Sequence, residues 1–314
     1  MSPINFSFII PHKNCPDLLR RCLDSIPKRK DIQIIIIDDN SDKSKVDFSK
    51  FPGQGEDSVE VYFIKDGKGA GHARNVGLSY VKGKYVIFAD CDDFFNYCIE
   101  NILQEYSSKE FDIAYFNANS LDTDNYLPSK RANHLNKFIK LYIEGIDKEA
   151  IKLRYKFGEP WCKIISYDLI RNNNIKFDVT NIHNDTTFSY LVGHFAKEVL
   201  VDVRALYCVT TREGSVSTIT SDDRIITRVQ VFGKSELFFK KNNVDEKVYV
   251  HYFQLLKLLV VGNFTLFEKS LNVLTEVGFS KSQVMNGILK VGVIAIKEYC
   301  LRFLGFRDVV SFYD

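Results

Sequence analysis

Residues 1–93 alternate between short, strongly apolar β-rich runs and segments whose apolar residues recur at helical spacing. Phe6-Ser7-Phe8-Ile9-Ile10 is the first such run, and Pro11 is expected to end it because proline has no N–H for a sheet ladder. Over residues 17–26, Leu18, Leu19, Cys22, Leu23 and Ile26 follow the i, i+3, i+4 pattern of an amphipathic helix. Ile32-Gln33-Ile34-Ile35-Ile36-Ile37 is almost continuously apolar and β-branched, as a strand buried on both faces of a parallel sheet reads, and it closes on the polar turn Asp38-Asp39-Asn40-Ser41. Residues 59–64 predict a third strand, Gly67-Lys68-Gly69-Ala70-Gly71 a glycine-rich loop, and residues 72–81 a helix. Tyr85-Val86-Ile87-Phe88-Ala89 is then a fourth strand that runs into the acidic stretch Asp90-Cys91-Asp92-Asp93.

This order predicts an α/β, Rossmann-like fold, a mostly parallel sheet flanked by helices. Ligands of such sheets bind beyond the carboxyl ends of the strands, where Pro11, Asp38-Asp39 and Asp90–Asp93 all fall. The second half is less regular. Residues 111–116 and 199–203 read as strands, and from Ser221 onward helices are expected near residues 224–240, 247–261 and 280–303. The chain is therefore expected to divide into a catalytic domain over 1–220, itself in halves 1–110 and 111–220, and a helical C-terminal region over 221–314, with the junction at Thr218-Ile219-Thr220-Ser221. In the last helix Leu289, Val293, Ile296 and Cys300 share one face and Lys290 and Lys297 another. Packing on the core is the expected use of that face, and contact with a membrane surface the alternative.

Composition narrows the picture. An apolar fraction of 45% with 26% charged residues is that of a globular chain. Forty-two basic against forty acidic residues leave a formal charge of +2, so bulk electrostatics gives no case for nucleic acid as a partner. The seven cysteines are odd in number and form no C-x-x-C pair; they read as reduced thiols in a cytoplasmic protein, not as a zinc site or a disulfide framework. The N-terminal apolar stretch is too short for a secretory signal, and no apolar run reaches the length of a bilayer span.

The candidate chemistry lies at the strand ends. Asp90 and Asp92, at i and i+2 past a buried strand, can hold one hard cation, Mn2+ or Mg2+, with positions left for substrate phosphate; a solvated acidic turn is the bland alternative. Gly69-x-Gly71-x-x-Arg74 followed by a helix imitates a dinucleotide fingerprint. Against that stand Arg74 where close packing wants Gly or Ala, and three acids where a ribose needs one. Arg74 suits a diphosphate, since its guanidinium forks onto phosphate oxygens, and the N–H groups at the start of its helix would face an anion. Asp38 and Asp39 face either a nucleobase and ribose or the turn at Asn40-Ser41, with one aspartate expected for each task. Asn75 is expected to bridge backbone. The histidines have no metal-binding spacing.

Four segments in order resemble the family 2 glycosyltransferases, which have the GT-A fold. They are Phe8-Ile9-Ile10-Pro11-His12-Lys13-Asn14, Ile36-Ile37-Asp38-Asp39-Asn40-Ser41, Gly71-His72-Ala73-Arg74-Asn75-Val76-Gly77-Leu78, and Gly83 through Asp93. A looser likeness continues through Pro160-Trp161-Cys162-Lys163 and Asn184-Asp185-Thr186-Thr187-Phe188 to Arg212-Glu213-Gly214-Ser215-Val216-Ser217. The resemblance implies that Pro11, Asp38, Asp39, Gly71, Arg74, Asp90, Cys91 and Asp92 line a nucleotide-sugar site, with Asp90 and Asp92 on the metal. It makes Asp185 the catalytic base, with Asn184 in place of the family's usual acid, and puts Trp161 on the acceptor side. The implied reaction inverts the anomeric carbon of a UDP-type donor and builds a glycan or lipid-linked product of a bacterial surface polysaccharide. An ordinary aspartate pKa of about 3.9 would leave Asp185 ionised but weakly basic. The rival readings are a nucleotide-dependent oxidoreductase and an inactive sugar-binding protein on the same fold. Oligomeric state is not legible in the sequence.

Overall fold

The computed structural model describes residues 3–211 and 221–303, and these fall into two compact units, one within 1–180 and 184–215, the other within 181–183 and 216–314. Arg212 to Ser217 of the resemblance, and Thr218 to Thr220 of the expected junction, lie outside the described residues.

The first unit is an α/β domain. Its strands are β1 (Phe6–His12), β2 (Ile32–Asp39), β3 (Val59–Ile64), β4 (Tyr85–Phe88), β5 (Phe94–Phe95), β6 (Ile113–Asp122), β7 (Lys163–Ser166) and β8 (Val199–Thr211). Its helices are α1 (Pro16–Asp24), α2 (Ala70–Leu78), α3 (Ile99–Tyr106), α4 (Asn133–Ile143), α5 (Asp147–Lys156), α6 (Tyr167–Asn172) and α7 (Thr186–Phe195). Among the described residues the strands form one eight-stranded sheet in the order β3-β2-β1-β4-β7-β6-β8-β5. Pairings β3–β2, β2–β1, β1–β4 and β6–β8 are parallel; β7 runs antiparallel to both neighbours, and β5 antiparallel to β8. Every residue of β1, β2 and β4 is buried, and burying one isoleucine or phenylalanine side chain contributes about 1.5–3 kcal/mol. The isoleucine run of β2 therefore has one stable placement, inside the sheet.

Two expectations are corrected here. Pro11 does not end β1, which continues to His12 opposite Asp38. The missing N–H acts on the other side: pairing with β4 stops at Ile9–Phe88, whereas pairing with β2 runs three residues further. The sheet opens between β1 and β4, its topological switch point, just before the acidic stretch. Second, β6 and β8 reach well past their apolar starts, to Asp122 and Thr211. Their polar continuations, such as Asn117, Asn119 and Ser120, are held extended by the β6–β8 ladder and not by local preference.

The second unit contains α8 (Asp222–Lys241), α9 (Val250–Val260), α10 (Phe264–Val277) and α11 (Lys281–Phe303) among the described residues. Of these α10 was not anticipated, although its signals are present: Asn263 caps it by accepting the Leu266 N–H at 3.1 Å, and Gly278 at φ +123° ends it. Val229, Tyr252, Leu255, Leu274, Phe279, Val284, Ile288 and Val291 make its core. The face expected to pack on a core is instead open, with Leu289, Val293 and Ile296 64–67% exposed; the side chain of Cys300 lies outside the described residues. The inward face of α11 is the one carrying Val284, Ile288 and Val291. No described helix is long and apolar enough to cross a membrane.

Candidate nucleotide and catalytic site

The two aspartates at the end of β2 separate by geometry. Asp38 Oδ1 accepts from His12 Nδ1 at 2.7 Å and from Ser41 Oγ at 2.5 Å, while its Oδ2 accepts the Ser41 N–H at 3.0 Å. The Cys15 N–H donates to His12 Nε2 at 3.2 Å, which places the ring proton on Nδ1. Against the cost of burial, these donors hold the Asp38 carboxyl below the usual range. Asp38 is spent on the turn. Asp39 Oδ2 accepts the Gly69 N–H at 2.9 Å and faces Lys13 Nζ at 3.6 Å, but its buried Oδ1 has no hydrogen-bond partner among the described residues. An orphaned buried carboxylate oxygen is costly unless a ligand donates to it. Pro11 is buried in β1 opposite Ile37, in the strand next to Asp39.

The glycine-rich loop does not present itself to an anion as expected. Gly69 caps α2 at φ +89°, a conformation other residues rarely adopt, and its N–H is taken by Asp39. At Gly71 a Cβ would meet the Asp178 carbonyl oxygen at 2.1 Å and Asn184 Cβ at 2.8 Å. The helix start is thus filled by the protein's own carboxylate and by the segment leading to Asp185, and a dinucleotide pyrophosphate has no place there. Asn75 bridges backbone as expected, donating to Phe177 O at 2.8 Å and accepting its N–H at 2.9 Å.

Arg74 is buried. Its Nη2 pairs with Asp90 Oδ1 at 2.5 Å and its Nη1 donates to Asn184 Oδ1 at 2.9 Å, with the guanidinium over the Phe177 ring. Its Nε has no hydrogen bond among the described residues. The acidic loop is fixed from several sides. The Asp90 N–H donates to Tyr207 Oη at 2.9 Å, and the Asp92 carbonyl accepts from Thr210 Oγ1 at 2.8 Å and from Arg21 Nη2. Asp93 accepts the Thr210 N–H at 2.7 Å, and burial, with Asp90 and Asp92 alongside, pushes its carboxyl well above the usual range. Asp93 therefore braces the loop, while Asp90 and Asp92 stay half-exposed. Cys91 between them is buried, with its sulfur 3.1 Å from that of Cys15. No cluster of three or more metal-binding side chains occurs among the described residues. Two half-exposed carboxylates on one loop fit Mg2+ or Mn2+, which bind through one or two carboxylates plus substrate phosphates and not in a protein cage.

Asp185 immediately precedes α7. Burial pushes its carboxyl from 3.8 up to about 6, with Arg74 pulling it down and Glu159 and Asp90 pushing it further up. The ordinary pKa expected from sequence is thus corrected upward: Asp185 is a stronger base, still ionised at neutral pH. Its environment includes groups the sequence reading did not single out. Glu159 pairs with His134 Nε2 at 3.3 Å, which against burial keeps its carboxyl low. The buried Lys163, lowered by burial to about 7, donates Nζ to the carbonyls of Phe157 at 2.7 Å and Glu159 at 2.6 Å. Ser189 Oγ of α7 takes the Gly158 carbonyl between them at 2.5 Å. The signal available in the sequence was a lysine heading the apolar run Ile164-Ile165, where a charge needs a reason. Trp161, expected on the acceptor side, is 3% exposed and stacks on Tyr207 at 5.4 Å, so its ring supports the residue that holds Asp90.

Comparison with known proteins bears on the family and the fold. Residues 7–172, just over half of the chain, match the family described as Glycosyl transferase family 2. Glycosyltransferase GlyA of Streptococcus pneumoniae serotype 4 is 24% identical over 223 residues, 68% of this chain and 32% of GlyA. Poly(ribitol-phosphate) beta-glucosyltransferase of Bacillus spizizenii is 33% identical over 96 residues, 29% of this chain and 15% of that protein. The chain thus spans about a third or less of the length of these relatives. The crystal structure of S. aureus TarS 1–349 in complex with UDP-GlcNAc superposes with a TM-score of 0.58 at 18% identity, covering 87% of this chain and 80% of that one. By its motifs, its sheet and these matches, the chain belongs to glycosyl transferase family 2 and has the GT-A fold.

Proposed function

We propose that the protein transfers a hexosyl or N-acetylhexosaminyl group from a UDP-sugar to a hydroxyl of a glycan or lipid-linked acceptor, with inversion, in the cytoplasmic assembly of a surface polysaccharide. The observation that carries the reading is that Arg74 donates to Asp90 Oδ1 at 2.5 Å and to Asn184 Oδ1 at 2.9 Å, so the residue before Asp185 is held to the acidic loop. In this reading Asp185 is the base and the acidic loop is where donor and acceptor meet. The name of the B. spizizenii relative and the ligand of TarS support the polymer and donor classes.

In this reading the free Oδ1 of Asp39 accepts an N–H or O–H of the nucleoside, beside Pro11. Asp90 and Asp92 would hold Mn2+ or Mg2+, which when bound would supply positive charge for the departing diphosphate. Arg74 orients Asp90, and Gly71 lets the segment carrying Asn184 and Asp185 close against α2. Asp185 takes the acceptor hydroxyl proton while the acceptor oxygen bonds to the anomeric carbon and the bond from that carbon to the phosphate oxygen breaks. Trp161 supports the acidic loop through Tyr207, which accepts the Asp90 N–H. A panel of UDP-, GDP- and TDP-sugars, assayed for hydrolysis and thermal shift with and without Mn2+, tests the donor class; stabilisation by none of them would overturn it.

Asp92→Asn is expected to remove the Mn2+ dependence of UDP binding and to weaken that binding at least tenfold, read by calorimetry. Equal affinity with and without Mn2+ in the parent protein would refute a metal at this loop. The exposed stripe Leu289, Val293 and Ile296 supports peripheral membrane contact. Vesicles containing anionic phospholipid are expected to float the parent chain and not a Leu289→Glu/Val293→Glu variant; equal behaviour of the two would rule the contact out.

A further inference from the structure

Two thiols meet behind the acidic loop. Cys15 lies between β1 and α1, immediately before Pro16, and Cys91 lies between Asp90 and Asp92. Their sulfurs are 3.1 Å apart. Cys91 is buried, whereas Cys15 is half-buried and so within reach of a small molecule. Cys98 and Cys162 have carbonyl oxygens as sulfur partners; Cys15 and Cys91 have each other.

We propose that Cys15 and Cys91 form an oxidative modification site, at which hydrogen peroxide converts the dithiol into a disulfide that ties the acidic loop to the start of α1. Peroxide reaches the more exposed sulfur first. Its O–O bond breaks, Cys15 becomes a sulfenic acid, and one water leaves. The Cys91 sulfur then attacks the Cys15 sulfur, the S–O bond breaks as the S–S bond forms, and the hydroxyl departs with the Cys91 proton as a second water. Two thiols lose two electrons and one peroxide gains them.

The geometry gives this bond a consequence. A disulfide spans about 2.05 Å, so the sulfurs must close by about 1 Å. Neither side yields freely. Cys15 is tied by its N–H to His12, and the loop on either side of Cys91 is tied by Arg74, Tyr207, Arg21 and Thr210. Closing the gap therefore strains the contacts of both segments, among them those that set the positions of Asp90 and Asp92. The functional consequence rests on the proposed reading of these two residues as the diphosphate site: oxidation is then expected to weaken UDP binding at least tenfold, and dithiothreitol to restore it.

The test uses the full chain. After peroxide treatment and N-ethylmaleimide blocking, peptide mapping is expected to find a Cys15–Cys91 linked pair, 2 Da below the sum of the two thiol peptides. Calorimetry with UDP and Mn2+ is expected to show the loss and its reversal. Cys15→Ser is expected to bind UDP like the parent and to keep that affinity in peroxide, while Cys98→Ser stays sensitive; Cys15→Ala replaces the serine variant if that one melts early. Oxidation of other thiols without the linked pair would overturn the proposal, as would equal peroxide sensitivity of the Cys15 variants. Failure of the reduced parent to bind UDP would instead count against the diphosphate reading, with the linked pair still deciding the modification site.

Discussion

Asp185→Asn is expected to lower the turnover of sugar transfer by about 10²- to 10⁴-fold, the usual contribution of a positioned general base, while UDP affinity stays within twofold of the parent. Amide and carboxylic acid have nearly the same shape, so α7 and its bond to Gly158 through Ser189 persist. The carboxylate must be deprotonated to act. With its pKa at about 6, activity is expected to rise with pH through that value and to level above pH 7. Stability moves the other way. The folded state holds this proton more tightly than the unfolded chain does, so ionising Asp185 costs stability as pH rises from 3.8 through about 6. At pH 7 the asparagine variant is therefore expected to melt no lower than the parent. Steady-state rates from pH 5 to 8 and a melting curve check both halves. Full transfer activity in Asp185→Asn would remove it as the base, and a large fall in melting temperature would make its role structural.

Arg74→Met is expected to lower the free energy of unfolding by about 3 kcal/mol in urea titration. Breaking a buried pair by removing one partner costs about 3–5 kcal/mol because the other is left uncompensated. The lower end applies here because the Asp90 side chain is 34% exposed and can recover water. Methionine keeps most of the stem's volume but removes the guanidinium that lies over Phe177 and leaves Asp90 and Asn184 without their donor. Arg74 also pulls the Asp185 carboxyl down, so its loss is expected to move the rise of activity with pH to higher pH. A loss below 1 kcal/mol would mean that the ion pair is fully screened, and an unmoved pH profile that Arg74 and Asp185 do not sense each other.

These expectations depend on details that the order of residues conveys unevenly. The strand–helix alternation of the first half is legible because a strand covered on both faces must be apolar throughout, as β2 is, and because α1 repeats its apolar residues with the helical period. The boundaries are less legible. Pro11 reads as a stop, yet it interrupts only the ladder to β4. The short β7 carries too few residues for a period to emerge, and the outer parts of β6 and β8 are polar segments made into strands by one another.

For the site, the sequence by itself determined that carboxylates stand at the ends of β2 and β4, since polar residues directly after buried apolar runs have nowhere else to emerge. It also marked Arg74 and Asp185, through motif order. Only the tertiary structure decided what each group has left to offer. Asp38 and Asp39 are neighbours of identical chemistry, and they differ because His12 and Ser41 reach the first while one oxygen of the second is left bare. Trp161 is enclosed because Tyr207, distant in sequence, covers its face. The basicity of Asp185 comes from burial and from the charges of Glu159 and Asp90, with Arg74 opposing them, all three residues from other parts of the chain. Partnership, burial and field are properties of what surrounds a side chain, and folding supplies most of those surroundings from outside its own segment.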